Sequence, residues 1–215
     1  MSKFFNFKTE TRGCGRELYL TPLSTIAGTV KKLLELRPEL KKKYWIDPCA
    51  YDGRWEKVFR AYGVKGESYD IKPCADNVKK QDFLCSTTHF DKDNLFFIGN
   101  PPFTKVKDFI NKSLSLADSC FFLGGSAILS GTLSHKVDLL FRYEGAEGNH
   151  KDKRSKIAFL DSNEQKVCVW TCGAYCTKKE HTPFVREYNM QEGFFRVSVP
   201  LYCEENTRVI TIKEN

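Results

Sequence analysis

The segment Asn94-Leu-Phe-Phe-Ile-Gly-Asn-Pro-Pro-Phe103 decides the fold class. Residues 95–99 form a short apolar run, the pattern of a strand buried on both faces inside a sheet. Two prolines follow almost at once. Neither can donate a backbone hydrogen bond, and both hold φ near about −65°, so the chain must leave the sheet in a stiff, extended turn. Upstream, Tyr44-Trp-Ile46 reads as a strand ending at Asp47-Pro48, Trp55–Tyr62 as a helix, Glu67–Asp70 as a strand ending in an acid, and Asp82-Phe-Leu84 as a short third strand. A first helix is expected with Thr21 as its cap and Pro22 in its first position. Its apolar residues Leu23, Ile26, Val30, Leu33 and Leu34 fall at helical spacing, and Pro38 stops it. Downstream, Val106–Ala117 is helical and Cys120–Leu123 is a fifth strand. Strands separated by helices predict βαβ units. Val167–Tyr175, Phe194–Tyr202 and Arg208–Ile212 are strand-like at closer spacing, as an antiparallel edge would be. The expected architecture is an α/β, doubly wound, mostly parallel sheet with an antiparallel edge, a single domain over 21–215 preceded by a polar arm over 1–20.

Composition narrows the function classes. With 215 residues, 41% of them apolar and 28% charged, the chain can bury a sizeable core. No apolar run approaches the roughly 18–20 residues that span a bilayer, and the N-terminus has no signal-peptide core, so an intracellular, cytoplasmic protein with no membrane partner is expected. Thirty-four basic against 27 acidic residues leave a net charge of +7, compatible with a polyanionic partner. Nine scattered cysteines without an export signal read as reduced thiols. Cys168, Cys172 and Cys176 would share one face, but their spacing is not that of a zinc site, so buried strand cysteines are favoured and no metal is expected. There is no Gly-Lys-Ser/Thr phosphate loop and no His-Glu-x-x-His helix.

In an open α/β sheet, ligands bind at the carboxyl ends of the strands. The run 94–103 therefore sets an amide, two rigid carbonyls and an aromatic ring where a ligand should sit. Lys105 and Lys107 follow this turn, and Lys151, Lys153 and Arg154 lie in a second basic cluster, His150–Lys156. Both groups read equally as phosphate contacts or as ordinary solvated surface.

Asn100-Pro101-Pro102-Phe103 after an apolar strand resembles the catalytic motif of class I S-adenosylmethionine-dependent methyltransferases acting on the N6 amine of adenine. The likeness spans about residues 15–125 and implies a Rossmann-like methyltransferase fold with S-adenosylmethionine as cofactor. Asn100 and Pro101 would accept the target amine's hydrogens, Pro102 would stiffen the turn, and Phe103 would stack on the base. The resemblance implies a cofactor site built from Thr21, Pro22, Asp47, Pro48, Ala50, Tyr51, Gly53, Asp70, Ile71, Asp82 and Phe83, with Asp70 toward the ribose and Asp82-Phe83 toward the adenine. An adenine amine is a poor nucleophile, because its lone pair is delocalised. Rigid acceptors favouring a tetrahedral nitrogen would act by electrostatic preorganisation, and a base in a duplex would have to be flipped out. One position departs from the pattern. The cofactor loop usually reads Asp-Pro-x-x-Gly-x-Gly, and here Tyr51 stands at its first glycine, where a side chain restricts positive φ and close approach. The implied substrate is adenine in nucleic acid, DNA slightly ahead of RNA, with target recognition left to the arm, the basic loop and the C-terminal strands or to a protein partner. Two alternatives stay open: a methyltransferase of protein glutamine side chains, which more often carry Tyr than Phe in the motif, and an inactive methyltransferase-like subunit that binds nucleic acid.

Overall fold

A computed structural model describes residues 18–85, 90, 94–125, 128, 133–144, 155–161, 165–181, 185–189, 194–198 and 209–213. The first half alternates as its apolar runs dictate: α1 (Leu23–Leu36), β1 (Tyr44–Asp47), α2 (Arg54–Ala61), β2 (Gly66–Asp70), β3 (Val78–Lys80), β4 (Leu95–Gly99), α3 (Val106–Leu116) and β5 (Ser119–Gly124). The second half is mostly strand: β6 (Val137–Glu144), β7 (Lys156–Leu160), β8 (Lys166–Trp170), β9 (Cys172–Thr177), β10 (Val185–Asn189), β11 (Phe194–Ser198) and β12 (Val209–Lys213).

Eight strands form the main sheet in the order β12-β6-β9-β5-β4-β1-β2-β3. Neighbours are parallel throughout except at β9, which runs antiparallel to both β5 and β6. The antiparallel element expected from the later strands is thus β9, together with two separate antiparallel hairpins, β7-β8 and β10-β11. β4 shows why its run is unbroken: Phe96 and Ile98 pack into one core with α1 and α2, while Leu95 and Phe97 pack into a second core with α3. Each fully buried Phe or Ile contributes about 1.5–3 kcal/mol relative to exposure. Trp45 sits in the first core, its indole N–H donating to the Leu40 carbonyl at 2.9 Å.

Four expectations need correction. Residues 82–84 form a turn, because the Asp82 carboxylate accepts the backbone N–H of Leu84 (3.0 Å) and of Cys85 (3.2 Å), an arrangement that competes with strand pairing. The third strand is Val78–Lys80, whose single apolar residue gave no periodic signal. Thr21 does not cap α1: Pro22 occupies that position, and the Thr21 hydroxyl is buried without a hydrogen-bond partner. The run 167–175 is two strands in different sheets, broken at Thr171, whose N–H donates to the Ser155 carbonyl at 3.1 Å. That break leaves Cys168 exposed on β8 while Cys172 and Cys176 are buried on β9, so the three do not share one face. Residues 1–17, and Lys151, Lys153 and Arg154, lie outside the described residues. Among those described, no helix is long and apolar enough to cross a membrane, and no cluster of His, Cys, Asp or Glu is placed to hold a metal ion.

Candidate active site

The strand order reverses at β1: β2 and β3 continue to one side, β4 and β5 to the other. Such a switch point leaves a crevice at the carboxyl ends of the strands. A cleft of about 880 Å³ opens there. It is lined by Thr21, Pro48, Ala50, Tyr51, Asp70, Ile71, Asp82 and Phe83 of the expected cofactor set, and by Asn100, Pro102 and Lys105. Six expected residues stand back from it. Asp47 and Pro101 are buried, Pro22 and Gly53 belong to the backbone turns before α1 and α2, and Phe103 packs among other rings. Lys107 is an exposed residue of α3 outside the lining.

The loop between β1 and α2 answers the question raised by Tyr51. Its φ is +51° and that of Gly53 is +72°, so the tyrosine follows the left-handed path that glycine would take. That conformation costs a non-glycine residue roughly 1–2 kcal/mol. Offsetting bonds hold it: the Tyr51 N–H donates to Asp70 Oδ2 at 3.0 Å, and the Tyr51 carbonyl accepts the Cys74 N–H at 2.8 Å. Asp70 Oδ1 accepts the Lys72 N–H at 2.7 Å, so the acid ending β2 organises the rim of the cleft.

Arg54 ties this loop to the segment before α1. Its guanidinium grips both carboxylate oxygens of Asp52 and donates to the Thr21 carbonyl at 2.8 Å. Arg54→Gln is expected to lower stability by about 1–2 kcal/mol and to weaken cofactor binding severalfold. Calorimetry of folding and of ligand binding on the same samples measures both.

Asp47, at the end of β1, is fully buried. Its Oδ1 accepts the Cys49 N–H at 3.1 Å, while Oδ2 has no partner. Burial pushes its carboxyl well above the ordinary range against the opposing Cys49 hydrogen bonds, and the nearby Asp70 and Asp52 push the same way. An acid with a raised folded pKa holds its proton more tightly folded than unfolded. Its contribution to stability is therefore greatest at low pH and is lost as pH rises from about 4 through the folded pKa. Asp47→Asn is expected to melt higher than the parent at neutral pH, by a margin that shrinks as pH falls toward 4. Melting curves across that range give the sign directly.

Asn100 is the first residue beyond β4. Its Nδ2 donates to the Tyr19 carbonyl at 2.7 Å, and its Oδ1 is buried without a partner. Only the NH2 of a carboxamide can face a carbonyl, so Tyr19 fixes the amide's orientation. Tyr19 is itself held. Leu20 exchanges both backbone hydrogen bonds with Leu160 at the end of β7 (2.9 and 3.0 Å). The Tyr19 ring also lies 6.2 Å from Phe103 and 5.7 Å from Phe159. The β7-β8 hairpin thus becomes a wall of the cleft, contributing Asp161 and Val167. Sequence reasoning missed Tyr19, Arg54, Trp55 and Asp161. The signal for Arg54 was partial, since its place after Gly53 marks a helix start, but its partner lies 33 residues away.

No protein-family profile matches the chain, and no curated protein matches it in sequence. Solved structures do. A proposed RNA methyltransferase of Pyrococcus horikoshii is 14% identical over 76% of this chain and 87% of its own, with a TM-score of 0.53. The methyltransferase subunit of a type I restriction-modification system from Streptococcus thermophilus is 10% identical over 76% of this chain and 45% of its own (TM-score 0.49). The 23S rRNA methyltransferase ErmE is 13% identical over 76% of this chain and 71% of its own (TM-score 0.43). At such identities the likeness speaks to fold. The chain has a Rossmann-like, mostly parallel α/β fold of the kind seen in the Pyrococcus protein.

Proposed function

We propose that the chain transfers a methyl group from S-adenosylmethionine to the N6 amine of adenine in nucleic acid. The observation carrying this reading is the Asn100 carboxamide at the end of β4. Its donor is committed to the Tyr19 carbonyl, and its carbonyl oxygen is left as a buried acceptor without a partner. A buried polar atom left unpaired costs about 1–3 kcal/mol, and an amine hydrogen placed there would recover it. The Pyrococcus structure's description as a proposed RNA methyltransferase agrees with a nucleic-acid substrate.

The residues present fit the cofactor. Beside the cleft, Thr21 Oγ1 and Trp55 Nε1 are buried without partners, which suits a ligand with a charged, polar end. Asp70 and Ile71 would border its ribose, and Asp82 with Phe83 its adenine. When bound, S-adenosylmethionine supplies a methyl group activated by a sulfonium. The chain's own task is then orientation. Asn100 Oδ1 and the Pro101 carbonyl accept the two N–H groups of the target amine and favour the tetrahedral geometry in which its lone pair can attack; the surplus proton of the methylated amine then passes to water. The Pro-Pro turn holds these acceptors in place before reaction, so little reorganisation remains. Lys105, on the cleft rim, is available to a phosphate beside the target base.

The test supplies methyl-labelled S-adenosylmethionine with matched single-stranded DNA, duplex DNA, RNA and a glutamine-bearing peptide. Transfer to a nucleic acid that falls steeply between low and physiological salt is expected. Transfer to the peptide alone would overturn the nucleic-acid substrate. Absence of both transfer and cofactor binding would overturn the enzyme.

A further inference from the structure

The resemblance assigns base stacking to Phe103, but the geometry points to another ring. Phe103 does not line the cleft; it is partly buried against the first core and in contact with Tyr19 and Phe159. Tyr19 does line the cleft, next to Asn100, and its ring packs on Phe103 at 6.2 Å with the planes 36° apart. We propose that Tyr19 is the aromatic surface on which the target base stacks, with Phe103 and Phe159 as its backing. This rests on the adenine reading above and deepens it by naming a substrate-contacting residue outside the Asn-Pro-Pro-Phe motif.

Three observations converge. The first is placement: the backbone carbonyl of Tyr19 accepts the hydrogen bond that orients Asn100, so ring and acceptor belong to one rigid unit. Tyr19 and Asn100 also line the same cleft, which puts the residue beside the acceptor that would meet the base's amine. The second is support. A stacking platform must hold its plane, and the Tyr19 ring is braced by Phe159 at 5.7 Å and Phe103 at 6.2 Å, themselves 6.2 Å apart and nearly perpendicular. The third is anchoring: the paired backbone bonds between Leu20 and Leu160 and the Arg54 bond to the Thr21 carbonyl fix the two residues that follow Tyr19. Segment, hairpin and motif thus meet at one ring. Tyrosine offers an apolar face with little conformational entropy to lose, and any base can stack on it whatever its identity.

The test compares Tyr19→Leu, Tyr19→Phe and Phe103→Leu with the parent. Leucine keeps apolar bulk and removes the flat face; phenylalanine restores the face. Two probes are used: a short single-stranded oligodeoxyadenylate, and the same sugar–phosphate backbone carrying no bases. S-Adenosylhomocysteine binding is measured in parallel. The parent is expected to prefer the base-bearing strand by roughly tenfold or more, as stacking predicts. Tyr19→Leu should lose most of that preference while its affinities for the bare backbone and for S-adenosylhomocysteine stay within about twofold, and Tyr19→Phe should retain it. Full preference in Tyr19→Leu, or its loss in Phe103→Leu alone, would overturn the assignment. Stronger binding of the oligodeoxyadenylate by Tyr19→Leu would overturn it too, by making Tyr19 an occupant that the base must displace. A parent that methylates adenine yet shows no preference for bases sinks this inference and spares the adenine reading. A parent that binds neither strand nor S-adenosylhomocysteine sinks both.

Discussion

Asn100→Ala is expected to reduce methyl transfer by roughly 100- to 1,000-fold, the usual loss when one preorganised polar contact to a reacting group is removed. The effect should fall on the rate constant. Asn100 lies at the β4 side of the cleft, while the loop over residues 48–53 and the rim at Asp70 are fixed by their own hydrogen bonds. Cofactor affinity should therefore stay within about twofold, and the fold should persist, since the substitution removes one hydrogen bond, to the Tyr19 carbonyl, together with an oxygen that had no partner. Single-turnover rates and calorimetric titration with S-adenosylhomocysteine separate the two quantities. Equal losses in both would mean that Asn100 belongs to the cofactor site and not to the acceptor amine.

Gly99→Ala should have the next largest effect. A Cβ at this position would stand 2.6 Å from Asp47 Oδ1 and 3.1 Å from Cys49 Sγ. Asp47 is fully buried and bonded to the Cys49 backbone, so neither neighbour can withdraw freely. Overpacking of this kind costs about 1–3 kcal/mol. It also separates the tips of β1 and β4, which carry the cofactor loop and Asn100. A displacement of about 1 Å at a reacting group can cost on the order of 100-fold in rate. The variant is expected to melt lower and to transfer methyl about two orders of magnitude more slowly. Both should recover in part when Asp47→Ala is added, because the clash is with that side chain. No recovery in the double variant would mean that the backbone of β4, not Asp47, sets the constraint.

Much of the fold was legible because its central strands are nearly pure apolar runs and α1, α2 and α3 keep their spacing. Tyr44–Asp47, Leu95–Gly99 and Ser119–Gly124 are buried on both faces, and such burial leaves few choices of residue. The second half was less legible. Val137–Glu144 interrupts its apolar residues with Asp138 and Arg142, and Val185–Asn189 carries an arginine and a glutamate. Such mixed strands give no clear period. An unbroken run such as 167–175 hides its own break, since backbone pairing with Ser155 at Thr171 is invisible locally.

The site divides in the same way. Residues on one loop, such as Pro48, Ala50 and Tyr51, were found together because a motif keeps them together. Tyr19 reaches Asn100 across 81 residues, and Arg54 reaches Thr21 across 33. Those distances close only when the sheet forms, so no spacing announces them. The hairpin wall at Asp161 and Val167 is likewise set by tertiary pairing, between Leu20 and Leu160.

The proposed adenine chemistry turns on Asn100 presenting an acceptor to the target amine. The most direct measurement is mass spectrometry of nucleosides from DNA and RNA incubated with the purified chain and S-adenosylmethionine, beside an Asn100→Ala control. N6-methyladenosine or its deoxy form is expected with the parent, and loss of that product in the control. A methyl group found on another base or atom, or an unchanged yield from Asn100→Ala, would contradict that chemistry.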